Sequence, residues 1–118
     1  MDWKLGESLR WSKDYRHYEK KHPTELAAVM NNLDTYMKAL TAAAALQHVR
    51  LIQAGYLHNE PKGVIAIDQS GGEGKLQATR LYTYAYLKEQ KLYLITIGNK
   101  KEQQNDIEYC KEFVKNLG

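Results

Sequence analysis

The residues with the most direct chemical potential lie at the open end of a predicted β-hairpin that spans residues 77–102. Arg80 stands at the start of the first strand, and Lys100 and Lys101 follow the second. An arginine can bind a phosphate through two parallel N–H groups, and a lysine can neutralise charge beside it. Because a hairpin brings its outer ends together, these three cations predict a local anion-binding site.

The two strands of this hairpin are predicted by two different side-chain patterns. Residues 80–87 alternate between an apolar side and an aromatic side. The aromatic side carries Arg80, Tyr82, Tyr84 and Tyr86. After a polar turn at residues 88–90, residues 92–97 are almost all apolar, as in the centre of a sheet. A buried phenolic hydroxyl needs a partner, so we expect the tyrosine side to be exposed. The reverse arrangement, with the tyrosines packed on helices, is the alternative.

Two amphipathic helices are predicted in the first third of the chain. A weak alternation at residues 1–5 suggests a short edge strand before them. The first helix, at residues 7–20, has its aromatic residues at spacings of four and three. Pro23 interrupts this helix but is accepted in the first turn of the next one. The apolar stripe of the second helix continues to Leu40, and residues 41–45 either extend it or fray.

The rest of the chain predicts a strand, a loop and a final helix. Residues 64–68 form a short strand, and the glycines at residues 70–74 form a flexible connection. Asn105 is expected to cap the last helix, with Cys110 as a small buried residue on its inner face. This order predicts one α+β domain over residues 1–118. Its N-terminal helical hairpin packs on one face of a small twisted antiparallel sheet, and a short C-terminal helix follows.

The composition of the 118 residues, with 43% apolar and 26% charged, is that of an ordinary globular protein. The net charge of +3 is small, so any anion site must be local. No apolar run approaches the roughly 20 residues of a membrane span. The N-terminus lacks the charged segment followed by an apolar segment that is typical of a signal peptide. We therefore expect a cytoplasmic protein with no membrane partner. A single cysteine and the lack of ligand spacing predict no disulfide, no metal and no cofactor.

The chain resembles the RelE/ParE superfamily of type II toxin–antitoxin toxins, most closely its RelE and HigB-like branch. Three segments carry the resemblance: RLYTYAYL with its opening arginine, LYLITIGNKKE with its terminal basic loop, and NDIEYCKEFV with a tyrosine near its start. The predicted helical hairpin and short strand precede them in the order of the family. The resemblance implies a RelE-like fold and a growth-inhibiting toxin, an endoribonuclease that enters the ribosomal A site and cleaves mRNA.

The resemblance also implies roles for residues of this sequence. Arg80 matches the phosphate-contacting arginine of the family, and Lys100 and Lys101 match its basic residues after the last strand. Tyr109 matches its C-terminal tyrosine. The implied partners are mRNA in the ribosomal A site and a cognate antitoxin, commonly a helix-turn-helix protein, that covers the active surface.

Metal-independent RNA cleavage requires three operations. The 2′-hydroxyl must lose its proton, the pentavalent phosphate must be stabilised, and the leaving 5′-oxygen must gain a proton. Arg80 and the lysine pair suit the second and third operations. A base can stack on the aromatic candidates, which are Tyr82, Tyr84 and Tyr109. For proton transfer His58 is the preferred histidine, and His48 is the second candidate.

Two other interpretations remain open. Taken singly, Arg80 can be a surface partner of Glu73 or Glu102, and the lysine pair can be a solvated loop. Alternatively, the protein is a non-enzymatic, ParE-like inhibitor of DNA gyrase, or an interaction module that has lost catalysis. The segment VIAIDQ supports this alternative, because the RelE branch often carries lysines on that strand. The three cations and Tyr109, taken together, favour RNA cleavage.

Overall fold

The predicted hairpin forms the centre of the folded sheet. The computed structural model describes residues 3–45, 55–69 and 78–117, which form three α-helices and one five-stranded sheet of an α+β fold. In chain order the elements are β1 (Lys4–Glu7), α1 (Trp11–Lys21), α2 (Pro23–Ala45), β2 (Leu57–Asn59), β3 (Ile65–Asp68), β4 (Thr79–Tyr86), β5 (Lys91–Asn99) and α3 (Gln103–Leu117). Both hairpin strands, β4 and β5, lie within two residues of their predicted bounds.

The sheet is mixed, with the strand order β1-β5-β4-β3-β2. All neighbours are antiparallel except β1 and β5, which are parallel, so the prediction of a purely antiparallel sheet is wrong. The edge strand predicted at residues 1–5 lies slightly further along the chain, at Lys4–Glu7. The N–H groups of Lys4 and Ser8 fix it there by donating to the carbonyls of Gln90 and Leu94. The first helix therefore begins at Trp11 and not at residue 7. The edge strand β2 has only three residues, too few for a periodic pattern, and is missing from the prediction.

The two N-terminal helices share one buried cluster with one side of the sheet. Trp11 and Tyr18 of α1 and the apolar stripe of α2 pack there with Leu81 and Leu92. Pro23 is the first residue of α2, as predicted, and residues 41–45 belong to this helix. The glycine loop at 70–74, which includes Glu73, lies outside the described residues, and so does His48. Within the described part, no helix has both the length and the apolar character that crossing a membrane requires.

The second face of the sheet is covered by α3, so the prediction of an open tyrosine face is wrong. A second buried cluster contains Val64, Ala66, Tyr82, Ile95 and Cys110, and the inner residues of α3 pack against it. Tyr82 has no exposed surface, whereas Cys110 is buried as predicted. The reason is that α3 also has an apolar stripe to bury, and α1 and α2 already occupy the first face.

The last helix begins earlier than the sequence predicts. The side-chain oxygen of Asn99 accepts hydrogen bonds from the backbone N–H groups of Lys101 and Glu102, at 3.0 and 3.3 Å. Asn99 therefore caps a 3₁₀ turn at Lys100–Glu102 that continues directly into α3. Asn105 lies inside the helix and is exposed, so the prediction that it is the cap is wrong.

Candidate functional site

Two of the predicted cations line one cleft at the end of the sheet. The cleft lies where β4 begins and β5 ends, and its volume is about 160 Å³. It is lined by Ala78, Arg80, Asn99, Lys100 and Gln103. The cross-strand pairing of Thr79 with Asn99 fixes this geometry, since it sets Arg80 beside the turn that follows β5. An arginine and a lysine in one concave site are suited to binding an anion.

Arg80 has a carboxylate partner inside the protein. Its Nη1 lies 3.2 Å from Oε1 of Glu60, and the two side chains are 29% and 11% exposed. Glu60 is held by a tight turn at Pro61–Gly63, across which its N–H donates to the carbonyl of Val64 at 2.8 Å. The partner of Arg80 among the described residues is therefore Glu60. One interpretation of the sequence had proposed Glu73 or Glu102, and of these Glu73 lies outside the described residues. A guanidinium has five N–H donors, so the pairing with Glu60 leaves donors for an anion in the cleft.

His58 lies on the same side of the sheet as Arg80. Its Nε2 is 3.2 Å from Oδ2 of Asp68, whose other oxygen accepts a hydrogen bond from the N–H of Gln69 at 2.7 Å. Asp68 is the cross-strand partner of Arg80, and such partners point to the same face. A carboxylate at Nε2 holds a proton there and leaves Nδ1 of the neutral imidazole as an acceptor. The pair can therefore transfer a proton on this face of the sheet, but neither of its side chains lines the cleft, and His58 lies two strands away from Arg80.

The aromatic candidates lie outside the cleft. Tyr82 is fully buried beneath α3, so its ring has no surface on which a base could stack. Tyr84 is half-buried and packs against the same cluster. Tyr109 lies against Arg10, whose guanidinium carbon is 4.5 Å from the ring centroid. Lys101 is exposed beside the cleft but does not line it.

A buried carboxylate lies between β5 and α3. Asp106 is 2% exposed and packs so closely on Gly98 that a side chain at position 98 would collide with it. Its Oδ1 is 3.7 Å from Nη2 of Arg10, and among the described residues its Oδ2 has no hydrogen-bond partner. Burial, together with the charge of Glu102, raises the pKa of Asp106 from 3.8 to about 6, although Arg10 opposes the shift.

The sequence prediction missed three acidic residues of this region, which are Glu60, Asp68 and Asp106. Asp68 ends a predicted strand, and its pairing with the start of β4 is the signal that could have placed it beside Arg80. The other two have no local signal, because their positions depend on how a turn and a helix pack on the sheet.

No family model matches this chain, and comparison with curated proteins and with solved structures found no match. Among the described residues, no group of three His, Cys, Asp or Glu side chains lies close enough to hold a metal ion. Burial raises the pKa of the Cys110 thiol to about 12, so this cysteine is a poor nucleophile near neutral pH. Function must therefore be inferred from the cleft and the side chains around it.

Proposed function

We propose that this protein is a toxin of the RelE/ParE superfamily that cleaves mRNA on the ribosome. One observation carries the proposal: Arg80 and Lys100 line a single cleft, with the His58–Asp68 pair beside Arg80 on the same face of the sheet. These groups can supply phosphate stabilisation and the two proton transfers, which are the three operations that RNA cleavage requires. The chain order of helical hairpin, antiparallel strands and C-terminal helix supports a RelE-like fold.

In the proposed reaction, the 2′-oxygen of the RNA attacks the adjacent phosphorus, and the bond from phosphorus to the 5′-oxygen breaks. Arg80 donates hydrogen bonds to the phosphate oxygens as negative charge develops on them, and Lys100 adds a second positive charge. His58, oriented by Asp68, accepts the proton of the 2′-hydroxyl at Nδ1. Lys100 or the neighbouring Lys101 gives a proton to the leaving 5′-oxygen. The products are a 2′,3′-cyclic phosphate and a 5′-hydroxyl.

A second function has one observation in its favour. Arg80 is already paired with Glu60, and β3 contributes no lysine to the cleft. An arginine whose charge is balanced by Glu60 is as compatible with a non-enzymatic module, such as a ParE-like gyrase inhibitor, as it is with an enzyme. Under either function the expected partner is a cognate antitoxin, commonly a helix-turn-helix protein.

Expression of the chain in bacteria, followed by primer extension on cellular mRNA, tests the proposal. We expect the unaltered protein to arrest growth and to cut translated mRNAs. Arg80→Ala and His58→Ala should each reduce cutting by about 100-fold or more, because each removes a group that acts in the transition state. Lys38→Ala, which removes an exposed cation from α2, is the control and should leave cutting unchanged.

The outcomes separate the two functions. Growth arrest without mRNA cuts, accompanied by gyrase-dependent DNA breaks, would favour the gyrase inhibitor. Normal growth at confirmed expression would reject both toxin functions. Circular dichroism of each purified variant shows whether a lost activity reflects the site or a lost fold.

A further inference from the structure

Glu60 is a carboxylate that lies against the proposed phosphate ligand and has no role in the proposed reaction. Its Oε1 lies 3.2 Å from Nη1 of Arg80, and its side chain is only 11% exposed. Its backbone is fixed, because the N–H of Glu60 donates to the carbonyl of Val64 at 2.8 Å and the turn at Pro61–Gly63 packs against α3. Glu60 therefore holds a negative charge beside the cleft.

The charge of the cleft follows from the residues that line it. Arg80 and Lys100 each contribute one positive charge, and the other lining residues are uncharged: Ala78, Asn99 and Gln103. Glu60 subtracts one charge through its contact with Arg80. The cleft and its carboxylate together carry a net charge of +1.

The neighbouring charges either offset one another or have partners of their own. Lys101 and Glu102 are exposed on the turn after β5, do not line the cleft and are opposite in charge. Asp68 also lies outside the lining, and its two oxygens lie 3.2 Å from Nε2 of His58 and 2.7 Å from the N–H of Gln69. Among the described residues, Glu60 is therefore the acidic side chain that is paired with a cation of the cleft.

A net charge of +1 matches one class of phosphate better than another. A phosphodiester carries one negative charge, whereas a terminal phosphate carries about 1.5 to 2 at pH 7. The attraction of a site rises in proportion to the charge of the ligand. The cost of removing the ligand from water rises with the square of that charge, as in the Born description of an ion. A weakly positive site therefore favours the singly charged ligand, and a more strongly positive site favours the doubly charged one.

We infer that Glu60 is a specificity-determining residue, which makes the cleft select the singly charged phosphodiester of an internal RNA linkage over the doubly charged phosphate of an RNA end. The inference rests on the proposed function in taking this cleft as the phosphate site. Glu60 repels both ligands, but it repels the dianion about twice as strongly, because Coulomb energy is proportional to charge. The protein is thereby kept on internal linkages, where the proposed reaction takes place.

Two probes that differ by one methyl group and one charge test this inference. They are thymidine 5′-phosphate, which is doubly charged at pH 8, and its methyl ester, which is a phosphodiester. Neither probe has a 2′-hydroxyl, so the proposed reaction cleaves neither of them. Titration of the purified protein at pH 8 and constant salt, followed by the backbone amide NMR signals of residues 99–103, gives both dissociation constants. The unaltered protein should bind the methyl ester at least as tightly as the phosphate.

The variant Glu60→Gln keeps a side-chain oxygen that can accept from Arg80 and removes the charge. It should shift the ratio of the two dissociation constants by about 10-fold in favour of the doubly charged phosphate. Glu60→Asp keeps the charge and should keep the original preference. Glu89→Gln is the matched control, because it makes the same change in the exposed turn at the opposite end of the hairpin. Arg80→Gln should abolish the binding of both probes.

Tighter binding of the phosphate than of its methyl ester by the unaltered protein would overturn the inference. So would undetectable binding of both probes, and neither of these results depends on a variant that folds. An unchanged ratio for a Glu60→Gln variant with a native circular dichroism spectrum would overturn it as well. Undiminished binding by Arg80→Gln would do the same, because the probes would then bind outside the cleft.

A cleavage assay in a translating extract keeps the inference separate from the proposed catalysis. Cleavage by the unaltered protein together with an unchanged ratio for Glu60→Gln rejects the role of Glu60 alone. The expected change of ratio without cleavage by the unaltered protein supports that role and rejects the proposed catalysis.

Discussion

Asp106 is an acidic residue that is buried where α3 packs on Gly98 of β5. Three charged groups influence it: Glu102 of the 3₁₀ turn, Arg10 just before α1, and Asp14 within α1. Burial is the largest cause of its raised pKa, and Arg10 only partly compensates. Because its pKa of about 6 in the folded protein exceeds the unfolded value of 3.8, the folded state binds the proton more tightly. Its contribution to stability is fully present below about pH 4 and is lost as the pH rises through about 6.

Asp106→Asn should therefore stabilise the protein above pH 6. A net shift of about two pKa units corresponds to about 3 kcal/mol, and this net value already includes the opposing attraction to Arg10. We expect the free energy of unfolding to increase by about 1–3 kcal/mol at pH 8 and to change little at pH 4. Urea unfolding at both pH values measures it, with the exposed Asp34→Asn as the control. A destabilised Asp106→Asn at pH 8 would show that the attraction to Arg10 outweighs the cost of burial.

At the scale of elements, the turn between β5 and α3 determines where Lys100 lies. Asn99 satisfies two backbone N–H groups of this turn, and its own backbone is held in β5 opposite Thr79. Lys100 follows directly and lines the cleft with Arg80. The cap therefore connects the stability of α3 to the geometry of the proposed phosphate site.

Asn99→Ala should lower the free energy of unfolding by about 0.5–2 kcal/mol, because the N–H groups of Lys101 and Glu102 lose their acceptor. RNA cleavage should fall as well, since Lys100 would no longer be fixed. Asn105→Ala is the matched control and should be neutral or slightly stabilising, because alanine favours a helix interior. Thermal or urea unfolding of both variants gives the comparison. If Asn105→Ala were the more damaging change, α3 would begin where the sequence alone predicts.

The elements that could be predicted are those whose pattern is local. Alternation identified β4, a continuous apolar run identified β5, and a stripe at helical spacing identified α2, because each pattern is complete within one segment. The side of the sheet that α3 covers could not be predicted, since it depends on which surface remains after α1 and α2 have packed. Tyr82 shows the consequence: a phenolic hydroxyl normally needs a partner when buried, yet none is found for it among the described residues.

In the candidate site, too, only the residues that a local sequence pattern relates to one another could be predicted together. Arg80 and Lys100 were expected together because the register of one hairpin relates them. His58 was a weak candidate from sequence, and its carboxylate partner was found only when β2 paired with β3. Glu60 reaches Arg80 by way of the turn at Pro61–Gly63, and no periodicity in the sequence encodes that contact.

At the scale of the whole molecule, charge limits how the protein meets its proposed substrate. The net charge is only +3, so attraction for RNA at physiological salt is weak and depends on local groups. At the cleft, Arg80, the proposed main phosphate ligand, is already paired with Glu60, so an incoming phosphate would have to compete with that carboxylate. Free RNA offers many phosphates but holds none of them in a fixed orientation. A partner that fixes the mRNA would remove this disadvantage.

Cleavage should therefore depend on the ribosome. Holding reacting groups in line can lower the activation barrier by roughly 7–11 kcal/mol. The weak binding of free RNA to Arg80 and Lys100 does not hold the reacting groups in this way. Purified protein should leave naked mRNA uncut and should cut the same mRNA when a translating ribosome presents an empty A site. Arg80→Ala, tested in both settings, is the control for cleavage by contaminating nucleases. Efficient cleavage of protein-free RNA by the unaltered protein alone would contradict the prediction and show that the His58–Asp68 pair and the cleft suffice.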